Sequence, residues 1–177
     1  MGFLDQFGDR KLRRQPLLLP RLGELTMPAE FRARIVEHVL YAGDDECCGV
    51  LGVVNQTVMS HHRIDNVSAT PYVKYEMDGK QLMLSMREIE DAGGEPAFYH
   101  SHSHSPARPS PTDMRLAEWP DSYYLIASPH TFDGMNHQSG DEPVVRAFSI
   151  YNRSVRSWGF FRSIKYMVSE EPIVIAG

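Results

Sequence analysis

His100, His102 and His104 alternate with serine inside the stretch AFYHSHSHSPARPSPTD, residues 97–113. On an extended strand, residues two apart share a face. His100 and His102 therefore project together, on the side that carries Phe98. Two imidazoles so placed can converge on one ion at zinc–nitrogen distances of about 2.0–2.1 Å. The pair by itself also fits a polar strand end running into a loop. Asp113 adds a hard oxygen ligand, offered from the first turn of an expected helix. Two histidines and a carboxylate leave the fourth corner of a tetrahedron for water, as in catalytic rather than structural zinc sites. The same residues have a structural account: Ser110 as N-cap, Pro111 at the first helical position, and Asp113 at the third, bonding back to the cap. The two accounts are compatible, because capping would hold the carboxylate still.

Hydrolysis by an activated water also needs a group to receive its proton, and a nearby carboxylate is the usual one. Glu46 is the candidate, between the polar AGDDE and the apolar CCGVLG. It is equally one more acid in the run Asp44-Asp45-Glu46, and position alone does not separate the two readings. Cys47 and Cys48 read as core residues beside the site, since nothing nominates a base for a cysteine nucleophile. His61, His62, His130 and His137 read as surface or loop residues.

The elements that must hold these groups are legible from periodicity. Residues 1 to about 22 read as an extension. A helix is expected from Pro28, with Phe31, Ile35, Val39 and Leu40 on one face and Gly43 ending it. CCGVLGVV reads as a buried strand, joined through an Asn-Gln-Thr turn to a neighbour, VMSHHRIDNV. A second helix is expected over 78–91, with Leu82, Met86 and Ile89 buried and Gly93-Gly94 as its stop. AFYHSH is a strand, SPTDMRLAEW a third helix, SYYLIAS a strand, and 130–142 a polar loop. VVRAFSIY and SVRSWGFF are expected to form a hairpin about Asn152-Arg153. This order gives a mixed sheet flanked by helices.

The bulk properties narrow the function. The 177 residues suffice for one domain with a sizeable core. A hydrophobic share of 42% and a net charge of −5 describe an ordinary soluble chain and argue against a nucleic-acid binder, which concentrates basic charge. No apolar run is long enough to cross a bilayer, and the start lacks the continuous apolar segment of a secretory signal. The two cysteines are adjacent, which disfavours an internal disulfide. A cytoplasmic protein is expected.

Taken together, Glu46 before CCGVLG, then His100-Ser101-His102, seven residues, Ser110, two residues and Asp113 resemble the JAMM (MPN+) metalloprotease signature. The match covers roughly residues 25–160. It divides the chain into an N-terminal extension (1–24), a catalytic domain (25–160) and a C-terminal tail (161–177). The resemblance implies an α/β (α+β), cytidine-deaminase-like MPN fold with a mixed central sheet flanked by helices. It implies that His100, His102 and Asp113 bind Zn²⁺, that Glu46 accepts the proton of the nucleophilic water at zinc, and that Ser110 helps hold the oxyanion. NVSATPYVKYEMDGKQLM and RPSPTDMRLAEWPDSYYLIAS are similar to the compact Mec-type peptidases. Those act on ubiquitin-fold sulfur carriers. The implied activity is isopeptidase-like hydrolysis after the C-terminal Gly-Gly of a ubiquitin-like or sulfur-carrier protein. The insertion with which dedicated deubiquitinases clamp a linkage is absent.

Ser103 stands where many relatives have Pro, and His104 is extra. Pairing His102 with His104 would break the seven-residue spacing, so His104 is read as solvent-facing or substrate-side. The main alternative is a catalytically silent MPN-fold interaction scaffold, which usually loses the ligands kept here. A cupin would want a Glu soon after the pair, and none precedes Glu118. A PHP phosphoesterase would want its pair near the chain start. A plain binding module would leave the Glu, His and Asp spacing as accident.

Overall fold

A computed structural model describes residues 22–129, 131–133, 136–138, 142–157 and 161–177. Most of the expected N-terminal extension, and His130, lie outside the described residues. The elements run β1 (Leu25–Pro28), α1 (Ala29–Ala42), β2 (Cys48–Val54), β3 (Thr57–Ile64), α2 (Gly79–Asp91), β4 (Glu95–Ser101), α3 (Pro111–Leu116) and β5 (Tyr123–Ser128). They continue with β6 (Thr131–Asp133), β7 (Asn136–Gln138), β8 (Val144–Ser157), β9 (Phe161–Glu171) and β10 (Ile173–Ala176). Eight strands form one mixed sheet in the order β10-β1-β3-β2-β4-β5-β8-β9. The polar stretch 130–142 contributes the small β6–β7 pair.

Three strands position the site. β2 is buried along nearly its whole length, which is why its sequence is a continuous apolar run rather than an alternation. Leu51 and Val53 face the layer containing Phe31, Ile35 and Val39 of α1, while Val50 packs with Ile64 and with Ile89 of α2. Each such fully buried aliphatic side chain contributes roughly 1.5–3 kcal/mol. β4 runs antiparallel to β2, pairing Cys48 with His100, and parallel to β5, pairing His100 with Ile126. His100 thus sits mid-sheet, held from both sides. Gly49 lies opposite Tyr99, and a Cβ there would overlap the Tyr99 ring and the His62 carbonyl. Only glycine lets Tyr99 lie across β2.

The helix ends follow the chemistry read from the chain. Gly43 closes α1 at φ 63°, a conformation that side chains resist. Asp78 caps α2 by accepting from the Gln81 amide at 2.8 Å. The turn between β2 and β3 uses Asn55 and Gln56, both at positive φ.

Four details differ from the expectations. Leu40 is 61% exposed, because a fourth apolar position falls off the stripe set by Phe31, Ile35 and Val39. No turn occurs at Asn152-Arg153: β8 runs straight through both, and the register Ser157↔Phe161 moves the reversal past Ser157. The stretch 161–177 supplies β9 and β10, and β10 pairs in parallel with β1. His61 and His62 are half-buried on β3 rather than loop residues. The His61 ring stacks on Tyr99 at 5.3 Å and meets its hydroxyl at 3.0 Å, where His38 Nδ1 also approaches to 2.8 Å. A buried phenol needs such partners. Burial pushes both His38 and His61 down to about 4, so they serve as neutral hydrogen-bonding groups.

Candidate metal centre and active site

His100 lies in the buried end of β4, and His102 is the first residue beyond the strand. His102 takes its direction from β5, donating its amide to the Ala127 carbonyl at 2.8 Å. Asp113 comes from the first turn of α3, where the expected capping box is fully formed. The Ser110 amide donates to Asp113 Oδ2 at 2.6 Å, and the Asp113 amide donates to Ser110 Oγ at 3.2 Å. Capping therefore fixes the carboxylate.

The three side chains meet. His100 Nε2 lies 3.1 Å from His102 Nε2 and 3.4 Å from Asp113 Oδ1, and His102 Nε2 lies 3.2 Å from Asp113 Oδ2. Ligands at about 2.0–2.1 Å from a tetrahedral ion stand about 3.3 Å apart, close to the separation of the two histidine nitrogens, while Asp113 turns one carboxylate oxygen to each histidine. Among the described residues, these three form the group whose ligand atoms converge in this way. His102 Nδ1 lies 2.9 Å from the Pro106 carbonyl, which can only accept. In the neutral ring Nδ1 therefore carries the proton, which leaves the Nε2 lone pair to face an ion. The Tyr75 ring stacks on His100 at 4.3 Å and fixes its plane.

The electrostatics suit a cation. Burial pushes His100 down, towards the neutral form that binds metals. Burial opposes the Asp113 charge, but hydrogen bonds from His100, His102 and Ser110 overcome it and hold the carboxyl well below the usual range. Burial also opposes the charged form of His102, but its hydrogen bonds to Asp113 and to the Pro106 carbonyl outweigh that and push it up, so an ion bound here would displace a proton from His102.

Glu46 stands at the edge of the same cleft, a space of about 430 Å³ also lined by Val73, Tyr75, His102, Ser110 and Asp113. Its backbone is held twice by the loop after β3. The Glu46 amide donates to the Pro71 carbonyl at 2.7 Å, and Asn66 Nδ2 donates to the Glu46 carbonyl at 2.7 Å. Asn66 Oδ1 also accepts from the Ser68 and Glu76 amides, so one amide side chain organises the loop that carries Tyr75. Burial pushes the Glu46 carboxyl up to about 7, with His102 acting in the opposite sense. His104 is exposed and outside the converging group. Cys47 and Cys48 are buried free thiols, and burial pushes them up to about 11 and 12. Neither has the lowered pKa of a nucleophilic cysteine.

Sequence reasoning did not find Tyr75, Asn66 or the Pro106 carbonyl. Tyr75 and Asn66 belong to an irregular loop without periodicity, and a carbonyl leaves no trace in side-chain spacing.

Residues 28–145 match the family described as prokaryotic homologs of the JAB domain. The chain belongs to this family. It is a JAB-domain peptidase of the JAMM type, a hydrolase. It is similar to the desampylase of Haloferax volcanii, at 39% identity over 67% of this chain and 90% of the relative. It is also similar to the CysO-cysteine peptidase of Mycobacterium tuberculosis, at 32% identity over 64% of this chain and 78% of that protein. The solution structure of protein DSY2949 from Desulfitobacterium hafniense shares the JAB-domain fold, with a TM-score of 0.62 at 25% identity. That likeness covers 86% of this chain and 92% of the other. No helix among the described residues is long and apolar enough to cross a membrane.

Proposed function

We propose that this chain is a Zn²⁺-dependent peptidase that hydrolyses the peptide or amide bond after the C-terminal Gly-Gly of a ubiquitin-like or sulfur-carrier protein. The carrying observation is the convergence of His100, His102 and Asp113, the last two of which line one cleft with Glu46 and Ser110. The relatives' names, desampylase and CysO-cysteine peptidase, support a carrier conjugate as substrate. Two buried free thiols and the composition support a cytoplasmic setting.

His100, His102 and Asp113 would hold the ion. Bound zinc would supply Lewis acidity, bringing water's pKa near 7 and polarising the scissile carbonyl. Glu46 takes the proton of the attacking water and returns it to the leaving amine, and its carboxyl lies near neutrality for that shuttle. Ser110 Oγ accepts the Asp113 amide, so its hydroxyl proton is left to donate to the developing oxyanion. The substrate tail must lie extended in the cleft, and strand addition to an exposed edge is the natural way to hold it. Glycines bring that backbone to the centre without an obstructing Cβ. A carrier whose last Gly is replaced by Val should therefore resist cleavage while keeping its own fold. Equal rates on Gly-Gly and Gly-Val carriers, or cleavage of unstructured peptides alone, would leave a general peptidase instead.

A further inference from the structure

Ser101, between the two histidines, is absent from the chemistry above, yet it is 1% exposed. The antiparallel β2–β4 register ends at Cys48↔His100, so Cys47 and Ser101 would form the next pair. Half of that pair is regular: the Ser101 amide donates to the Cys47 carbonyl at 2.8 Å. The other half is not. The Cys47 amide donates at 2.8 Å to Ser101 Oγ, a side-chain oxygen where an ordinary rung would use a backbone carbonyl.

This exchange has consequences on both strands. On β4 the chain is released from β2 at Ser101, and the next amide, that of His102, pairs with Ala127 of β5. That departure brings His102 Nε2 to 3.1 Å from His100 Nε2. Just before β2 the hydroxyl grips the peptide joining Glu46 to Cys47. Asn66 holds the carbonyl end of that same peptide, and Pro71 accepts from the Glu46 amide on the far side, so Ser101 completes the support of Glu46 from the side of the histidines.

We infer that Ser101 is a positioning residue: its hydroxyl sets the placement of Glu46 against the His100–His102 pair. The inference rests on Glu46 being the proton acceptor proposed above. A hydroxyl at a branched or unbranched Cβ would serve, and a methyl in its place would leave the Cys47 amide buried without a partner. Misplacement of a reacting group by about 1 Å costs on the order of 10²-fold in rate.

Ser101→Thr and Ser101→Val are isosteric with one another and differ in the hydroxyl. In zinc-loaded full-length protein, the Thr variant should keep kcat within about threefold of wild type. The Val variant should lose roughly 10–100-fold in kcat, with KM and zinc content within about twofold of wild type. Amide hydrogen exchange at Cys47 should quicken at least about tenfold in the Val variant and stay slow in the Thr variant, with or without metal. Equal turnover of the two variants, or equal Cys47 exchange, would overturn the inference. Failure of wild type to cleave any Gly-Gly conjugate would strike instead at the proposed function, and the exchange comparison would still decide the hydroxyl's link.

Discussion

Glu46→Gln should keep its metal and still bind a carrier conjugate, while turnover falls on the order of 10²–10⁴-fold. The amide has nearly the shape of the carboxylate, so the contacts of Pro71 and Asn66 with the residue-46 backbone survive. What disappears is the acceptor for the water's proton. The pH profile should change with it. Burial pushes Glu46 up to about 7, and a cation at the histidine pair would favour the carboxylate. In wild type kcat/KM should rise from acid pH and level off at or below about 7. The residual activity of the Gln variant should lack that limb. Stability should move the other way. A carboxyl whose folded pKa lies above its unfolded value favours folding only where it is protonated, and that advantage is lost as pH rises from about 4.5 through about 7. At pH 8 the uncharged Gln should leave the metal-free protein more stable by roughly 1–2 kcal/mol, a figure discounted for partial exposure. Near-normal turnover in the Gln variant would mean that another group accepts the proton.

Much of this site was written in local chemistry. Alternation put His100 and His102 on one face, and the Ser110-Pro111-Thr112-Asp113 run announced both a capping box and a candidate ligand. Those signals depend on neighbours within a few residues. Glu46 is different: nothing local distinguishes it from Asp44 and Asp45, and its place in the cleft comes from contacts made by Pro71, Asn66 and Ser101. The edge of the sheet was hidden for the same reason. β1 and β10 are four residues each and pair across most of the chain, so neither carries a turn or a period to mark it. Asn152 misled because Asn tolerates turn conformations, but 11 paired positions between β8 and β9 outweigh one residue's preference.

His102→Ala should remove most of the bound metal, whereas His104→Ala should retain about one equivalent per chain. His102 has both of its nitrogens committed, Nδ1 to the Pro106 carbonyl and Nε2 to the centre. Removing it leaves two ligands, too few for tight tetrahedral binding. His104, two residues on, is exposed and points to none of these atoms. Elemental analysis of protein purified without a histidine tag makes the comparison. Metal retained by the His102 variant and lost by the His104 variant would reassign the ligand pair.

The central claim is tested most directly by intact-mass measurement of a folded Gly-Gly carrier conjugate incubated with the protein, first as zinc-loaded enzyme, then after chelation, then with Zn²⁺ restored. The account predicts a carrier product ending in Gly-Gly with a free carboxylate, formed by addition of one water, absent after chelation and recovered with Zn²⁺. Cleavage at another bond, cleavage undiminished by removing the metal, or an intact conjugate in the zinc-loaded reaction would contradict it.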